Sequence, residues 1–193
     1  MPHSWLITVV LAFPLGVLAQ DAGTPAPKGS AAKPARPKPN PALTEQFHGM
    51  TGTWACSGSM ESPQSPGTQI PTRSEMHISP EVDGFAYSGT SKMEKNAAMP
   101  AGSKARLFWS WDDGKKQLIE FGFDSNGDTW RGTSDGLKGD DTVWNEEGSM
   151  MGQSVRTRTT VTRKSAKEVL ILFENEDKGA WHKIGEDHCK KKG

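Results

Sequence analysis

The side chains able to do chemistry in this chain are few, and their spacing excludes more than it suggests. Two cysteines, Cys56 and Cys189, make one disulfide the simplest arithmetic if the chain is exported. The histidines beyond the first few residues, His48, His77, His182 and His188, are scattered, with no His-x-x-x-His and no Cys-x-x-Cys, so no metal site is expected. His182, beside Trp181, is the one imidazole that could serve as a haem ligand; no other cofactor is indicated. Asp124-Ser125-Asn126-Gly127-Asp128 has the look of a calcium loop, but its glycine comes too early, and it reads as a hairpin turn. There is no Gly-x-Ser-x-Gly, and neither Ser57 nor Ser110 has a recognisable acid and base to activate it. The pairs Asp112-Asp113, Asp140-Asp141 and Glu146-Glu147 are adjacent, so on strands their members would face opposite sides and could not cooperate. No catalytic constellation results, and the chain is not expected to be an enzyme.

Binding is the remaining chemistry. Seven Trp residues stand against a single Tyr, and each Trp needs a packed home or a ligand. Leu107, Trp109 and Trp111 alternate and would share one strand face. With Trp54, and with Tyr87 and Phe121 as neighbours, they make a candidate aromatic wall that could line an apolar cavity or fill it. Arg156 and Arg158 would share a face opposite Val155, Thr157 and Thr159, which turns the arginines outward.

These residues must be positioned by short strands. After Leu43 the chain is punctuated by Asp83-Gly84, Asp113-Gly114, Asn126-Gly127, Asp135-Gly136 and Glu147-Gly148, the dipeptides of tight turns. Between them lie about ten alternating or apolar runs, centred near Trp54, Met76, Tyr87, Trp109, Phe121, Trp130, Trp144, Thr159, Ile171 and Trp181. Only Thr44 to Met50 looks helical, as a single turn with Thr44 as N-cap. A meander this long must remove its edges, so the expected fold is all-β, a single antiparallel up-and-down barrel. The first and last strands of such a barrel pair antiparallel. Cys56 early in one and Cys189 late in the other then suit a bridge across the seam.

The chain has 193 residues, and Lys plus Arg balance Asp plus Glu at 23 each. Zero net charge gives no global reason to expect nucleic acid as a partner. Residues 1–19 read as a secretory signal peptide: Trp5 to Leu18 carries no charge and is too short and broken to span a membrane, and Val17-Leu18-Ala19 suits cleavage before Gln20. Residues 20–42 hold six prolines among Lys28, Lys33, Arg36 and Lys38, with nothing to bury, and read as a disordered linker. The barrel domain is assigned to 43–193, as an extracytoplasmic monomer, periplasmic or secreted.

The run from Phe47 to Gly58, with Gly52 and Trp54 in Gly-x-Trp spacing, resembles the opening of small calycin-like barrels. In those barrels a short helix precedes the first strand and the Trp plugs the base. Together with Trp111-Asp112-Asp113-Gly114-Lys115-Lys116 and the ending Trp181 to Asp187, it resembles an exported bacterial family of barrels of unknown function. A distant likeness extends to fatty-acid-binding barrels and to nitrobindin-like haem barrels. The latter carry Gly-x-Trp-x-Gly-x-Gly, matched here by Gly52, Trp54 and Gly58, with Cys56 at the middle glycine. A barrel of this strand number can hold an interior cavity, and this one is rich in aromatics, so the expected function is non-catalytic binding of a small apolar or amphipathic molecule. The alternatives are a haem barrel using His182 and a structural module with a solid interior.

Overall fold

The structure is a computed structural model that describes residues 36–62 and 65–193. The signal peptide and most of the proposed linker lie outside the described residues. The chain runs α1 (Pro41–Phe47), β1 (Gly52–Ser62), β2 (Ser65–Glu81), β3 (Ala86–Met93), β4 (Ser103–Asp112), β5 (Gln117–Asp124) and β6 (Thr129–Ser134). It continues through β7 (Leu137–Lys138), β8 (Asp141–Met150), β9 (Gln153–Ser165), β10 (Glu168–Asp177) and β11 (Ala180–Lys191). Successive strands pair antiparallel except that β6 skips β7 to pair with β8, and β1 pairs with β11 to shut the circle. The result is a closed up-and-down barrel of ten strands, with β7 as a two-residue flap on β8. Each of the ten expected strand centres falls within one of the barrel strands.

The helix starts earlier than expected. Asn40, not Thr44, is the N-cap: its Oδ1 accepts the Ala42 N–H at 2.9 Å, while Thr44 Oγ1 merely donates back to the Pro41 carbonyl. Asn-Pro is the stronger start because the side chain satisfies an orphan N–H and proline, at the first helical position, has none to lose. Pro41 and Ala42 therefore belong to the helix rather than to the linker.

α1 seals one end of the barrel. Leu43 and Phe47 drop between Ile78, Tyr87, Trp109, Leu118 and Trp144, and Phe47 stacks on Tyr87 with ring centroids 4.3 Å apart. Polar contacts fix the helix as well: Thr142 Oγ1 donates to buried Gln46 Oε1 at 2.9 Å, and the Arg163 guanidinium donates to the Glu45 and Gln46 carbonyls. Beside this plug Trp54, Cys56, Val169 and Cys189 form a second buried group, with Trp54 Nε1 donating to the Met50 carbonyl at 2.7 Å. The Cys56–Cys189 disulfide is formed between directly opposed residues of β1 and β11.

Packing is uneven along the barrel axis. Toward the end away from α1, inward-facing Met60, Leu107, Trp130, Thr157, Ile171 and Phe173 stay only half-buried. The helix half is solid; the far half is buried along β2, at Ile70 and Thr72, and open to water on the remaining wall.

The parity of β5 departs from expectation. Leu118, Glu120 and Gly122 turn inward, while Ile119, Phe121 and Phe123 turn outward. Register forces this, because Glu120 lies opposite inward Trp109 and Phe121 opposite outward Phe108. Leu118, at 0% exposure, contributes the apolar burial of the strand from under the helix.

Trp109 carries much of the plug. Trp109→Ala is expected to destabilise the fold by about 3 kcal/mol through the cavity it leaves, measured by urea unfolding. A loss under about 1 kcal/mol would mean that the plug is looser than its contacts imply.

Candidate functional site

One row of paired residues crosses the barrel wall at the boundary between its packed and wet halves. Tyr87, Trp109, Glu120, Gly132, Glu146 and Thr157 are successive register partners on β3, β4, β5, β6, β8 and β9. Alternation turns all of them inward. Glu120 and Glu146 sit on either side of Gly132, which has no side chain to separate them. A Cβ at Gly132 would come within 3.0 Å of Glu146 Cγ and 3.1 Å of Glu120 Cγ, so the glycine lets two carboxyl stems lean together.

Each carboxyl is held by neutral donors. Trp109 Nε1 donates to Glu120 Oε2 at 2.7 Å. Thr157 Oγ1 and Thr159 Oγ1 donate to Glu146 Oε2 at 2.7 and 3.1 Å. Among the described residues no cation pairs with either carboxyl, and Glu120 is only 8% exposed. Burial first, and then the charge of Glu146, push the Glu120 carboxyl up to about 8, against the opposing pull of the Trp109 indole. Near neutral pH the pair therefore retains a proton and can both donate and accept a hydrogen bond. A third inward carboxyl, Asp187, lies on β11 and accepts from Thr72 Oγ1 at 2.7 Å; burial raises its pKa too. Opposite it, Gly58 is required, because a Cβ there would collide with the Glu186 carbonyl and the Asp187 carboxylate. The arrangement suits hydrogen bonding to the polar end of a guest, with the half-buried indole of Trp130 close by over Gly122.

The expected aromatic wall is divided by the structure. Trp54, Tyr87 and Trp109 face inward, but all three are buried in the packing around α1. Trp111 is half-buried beside the same plug, its Nε1 donating to Asp113 Oδ1 at 3.1 Å. Phe121 is corrected to the outer face, where it is 50% exposed and cannot meet Trp109, because its strand presents Glu120 there instead. His48, His77, His182 and His188 are all exposed. Among the described residues no imidazole is aimed into the apolar interior, so these histidines do not fit haem. Nor does any group of three His, Cys, Asp or Glu among them suit a metal ion. Arg156 and Arg158 point outward to Glu176 and Glu174, and Arg158 also covers the Trp181 ring at 4.7 Å. Asp124 closes its hairpin by accepting the Asn126 and Asp128 N–H groups.

The sequence alone marks neither Glu120 nor Asp187 as a site residue, and it sets Glu146 only beside Glu147. Those two do face opposite sides, Glu147 pairing with Arg131 outside. The partner that matters arrives from another strand. The available signal was the placement of Glu120 between Leu118 and Gly122, which becomes informative once Trp109 is known to lie opposite.

No protein-family model matches the chain, and no curated protein matches it. Solved structures do. The crystal structure of Rv2717c from M. tuberculosis superposes with a TM-score of 0.60 at 12% identity, covering 81% of this chain and 100% of that one. An S-type phycobiliprotein lyase, CPES from Guillardia theta, gives 0.49 at 8% identity over 78% and 93% of the two chains. A de novo fluorescence-activating β-barrel gives 0.42 at 12% over 78% and 98%. The first likeness establishes a shared barrel fold; the other two are too loose to bear on function. No helix among the described residues is long and apolar enough to cross a membrane.

Proposed function

We propose that this chain is an exported, non-catalytic barrel that holds a small amphipathic molecule in its wet half. The observation that carries this reading is the contrast along the axis: a solid plug under α1, then inward side chains that solvent still reaches. Trp109 and the Glu120–Glu146 pair form the floor, Trp130 and Phe173 belong to the apolar wall, and the guest's polar end meets the carboxyls. A disulfide supports an oxidising, extracytoplasmic location, in keeping with the leader at 1–19.

Tryptophan emission tests the reading directly. A panel of fatty acids, retinoids and alkylamines is titrated into the mature protein, and at least one is expected to change emission saturably. Trp130→Ala is expected to weaken that ligand about tenfold while changing stability by less than about 1 kcal/mol, because its indole is half-buried. If no member of the panel titrates, the barrel is a structural module and the wet half holds only solvent.

A further inference from the structure

We propose that the outer face of β3, β4 and β5 docks on the surface of an anionic lipid bilayer. Phe108, Ile119, Phe121 and Phe123 stand on that face, exposed by 40%, 37%, 50% and 41%. Phe108 is the register partner of Phe121, and the Phe121 and Phe123 rings lie 6.1 Å apart, so these are one patch rather than scattered surface residues. Register also seats Arg106 opposite Phe123 and Lys104 opposite Lys92, which puts three cations at the edge of the patch nearest the open mouth of the barrel.

None of Lys92, Lys104 and Arg106 forms an ion pair among the described residues, and like charges directly opposed on a sheet repel. Together with His77 and Phe123 they line an open groove of about 450 Å³. Two acidic residues stand beside them: Glu75, the register partner of Lys92, feels its charge and pairs with Lys192, and Asp124 accepts from Ser103 and from its own turn. Three cations against these two carboxylates, one of them already paired, leave the groove with an excess of positive charge next to exposed aromatic surface.

A small anion in the groove would leave the four apolar side chains in water, since they stand on the outer wall of the barrel and none of the described residues folds over them. A bilayer satisfies both halves in one approach, with headgroups on the cations and the aromatic rings at the acyl boundary. With zero net charge on the whole chain, attraction to an anionic surface has to be local. Docking in this way would bring the open mouth of the barrel close to the lipid.

The test is flotation of the mature protein with vesicles of phosphatidylcholine, with or without phosphatidylglycerol. Binding is expected to the anionic vesicles and to fall as salt rises. Lys104→Ala is expected to weaken it about fivefold, and Phe121→Ser with Phe123→Ser to abolish it. All three side chains are exposed, so unchanged melting temperatures should show that these variants fold. Lys178→Ala, in the β10–β11 turn, and Trp130→Ala are expected to leave vesicle binding intact, which separates this surface from the interior site. Equal binding to neutral vesicles, or indifference to the patch variants, would overturn the proposal. So would complete release by soluble glycerol phosphate, which would assign the groove to a free anion. A dimer that dissolves on Phe121→Ser would show the face to be a contact between copies, with the same consequence.

Discussion

Reduction of the Cys56–Cys189 bond is expected to lower the melting temperature by about 10–20 °C. The bond joins residues 133 apart in sequence. The chain-entropy model assigns a loop of that length about 5 kcal/mol, and a domain of this size loses about 2–4 °C per kcal/mol. Its position sharpens the effect. β1 and β11 are the first and last strands, and their pairing from Trp54–Lys191 to Met60–Gly185 is the longest-range step in closing the barrel. Without the crosslink that seam depends on backbone hydrogen bonds, on the Trp54–Val169 packing group and on a few polar contacts such as Thr72–Asp187 and Lys192–Glu75. Reduction is a cleaner test than substitution, because Cys56 and Cys189 are 5% and 2% exposed and replacing either would add a cavity to the lost bond. Melting curves with and without reductant measure the drop. Stoichiometric labelling of two thiols in native, unreduced protein would show that the bond does not form.

The barrel was legible because its signals are local. Turn dipeptides and alternation mark ten strands without knowledge of what each one meets, although Glu147-Gly148 lies inside β8 and the turn comes at Met151-Gly152, and seam closure places the two cysteines together by topology alone. The helix start was obscured because Asn40-Pro41 continues the proline-rich composition before it, and composition does not distinguish a capping pair from a linker. β5 was misjudged for a deeper reason. Its more apolar alternate set, Ile119, Phe121 and Phe123, is the outward one, and period-2 patterning assigns faces by apolarity. The inward set is fixed by Leu118 meeting the helix and Glu120 meeting Trp109, both of which depend on register. The carboxyl pair is similarly hidden, since Glu120 and Glu146 become neighbours only through Gly132 on an intervening strand. Sequence shows what each strand carries; cross-strand register decides which residues form a site.

Glu120→Gln is expected to stabilise the protein above neutral pH and to remove a pH dependence that the native chain shows. In the folded state the Glu120 carboxyl is pushed up to about 8, whereas its ordinary value is 4.5. Between those limits the folded protein retains a proton that the unfolded chain releases, so stability falls as pH rises and levels off above about 8. The fall amounts to about 1.4 kcal/mol per pH unit at its steepest, or on the order of 5 kcal/mol across the window. Glutamine has the same shape: its amide oxygen can accept the Trp109 N–H and its NH₂ can donate to Glu146, so the variant keeps the native contacts without the charge that burial opposes. Melting temperatures of the two proteins should converge well below pH 4.5, where Glu120 is neutral in both states, and diverge by roughly 10 °C near pH 8. Other groups leave the comparison clean. Asp187, raised by burial, contributes a decline of the same sign to both proteins, while Glu174, lowered mainly by its hydrogen bonds from Arg158, loses its stabilising effect only on the acid side. Parallel curves for variant and native protein between about pH 5 and 9 would mean that Glu120 ionises freely in the fold. Water would then reach the floor of the barrel unhindered, and the carboxyl pair would share no proton.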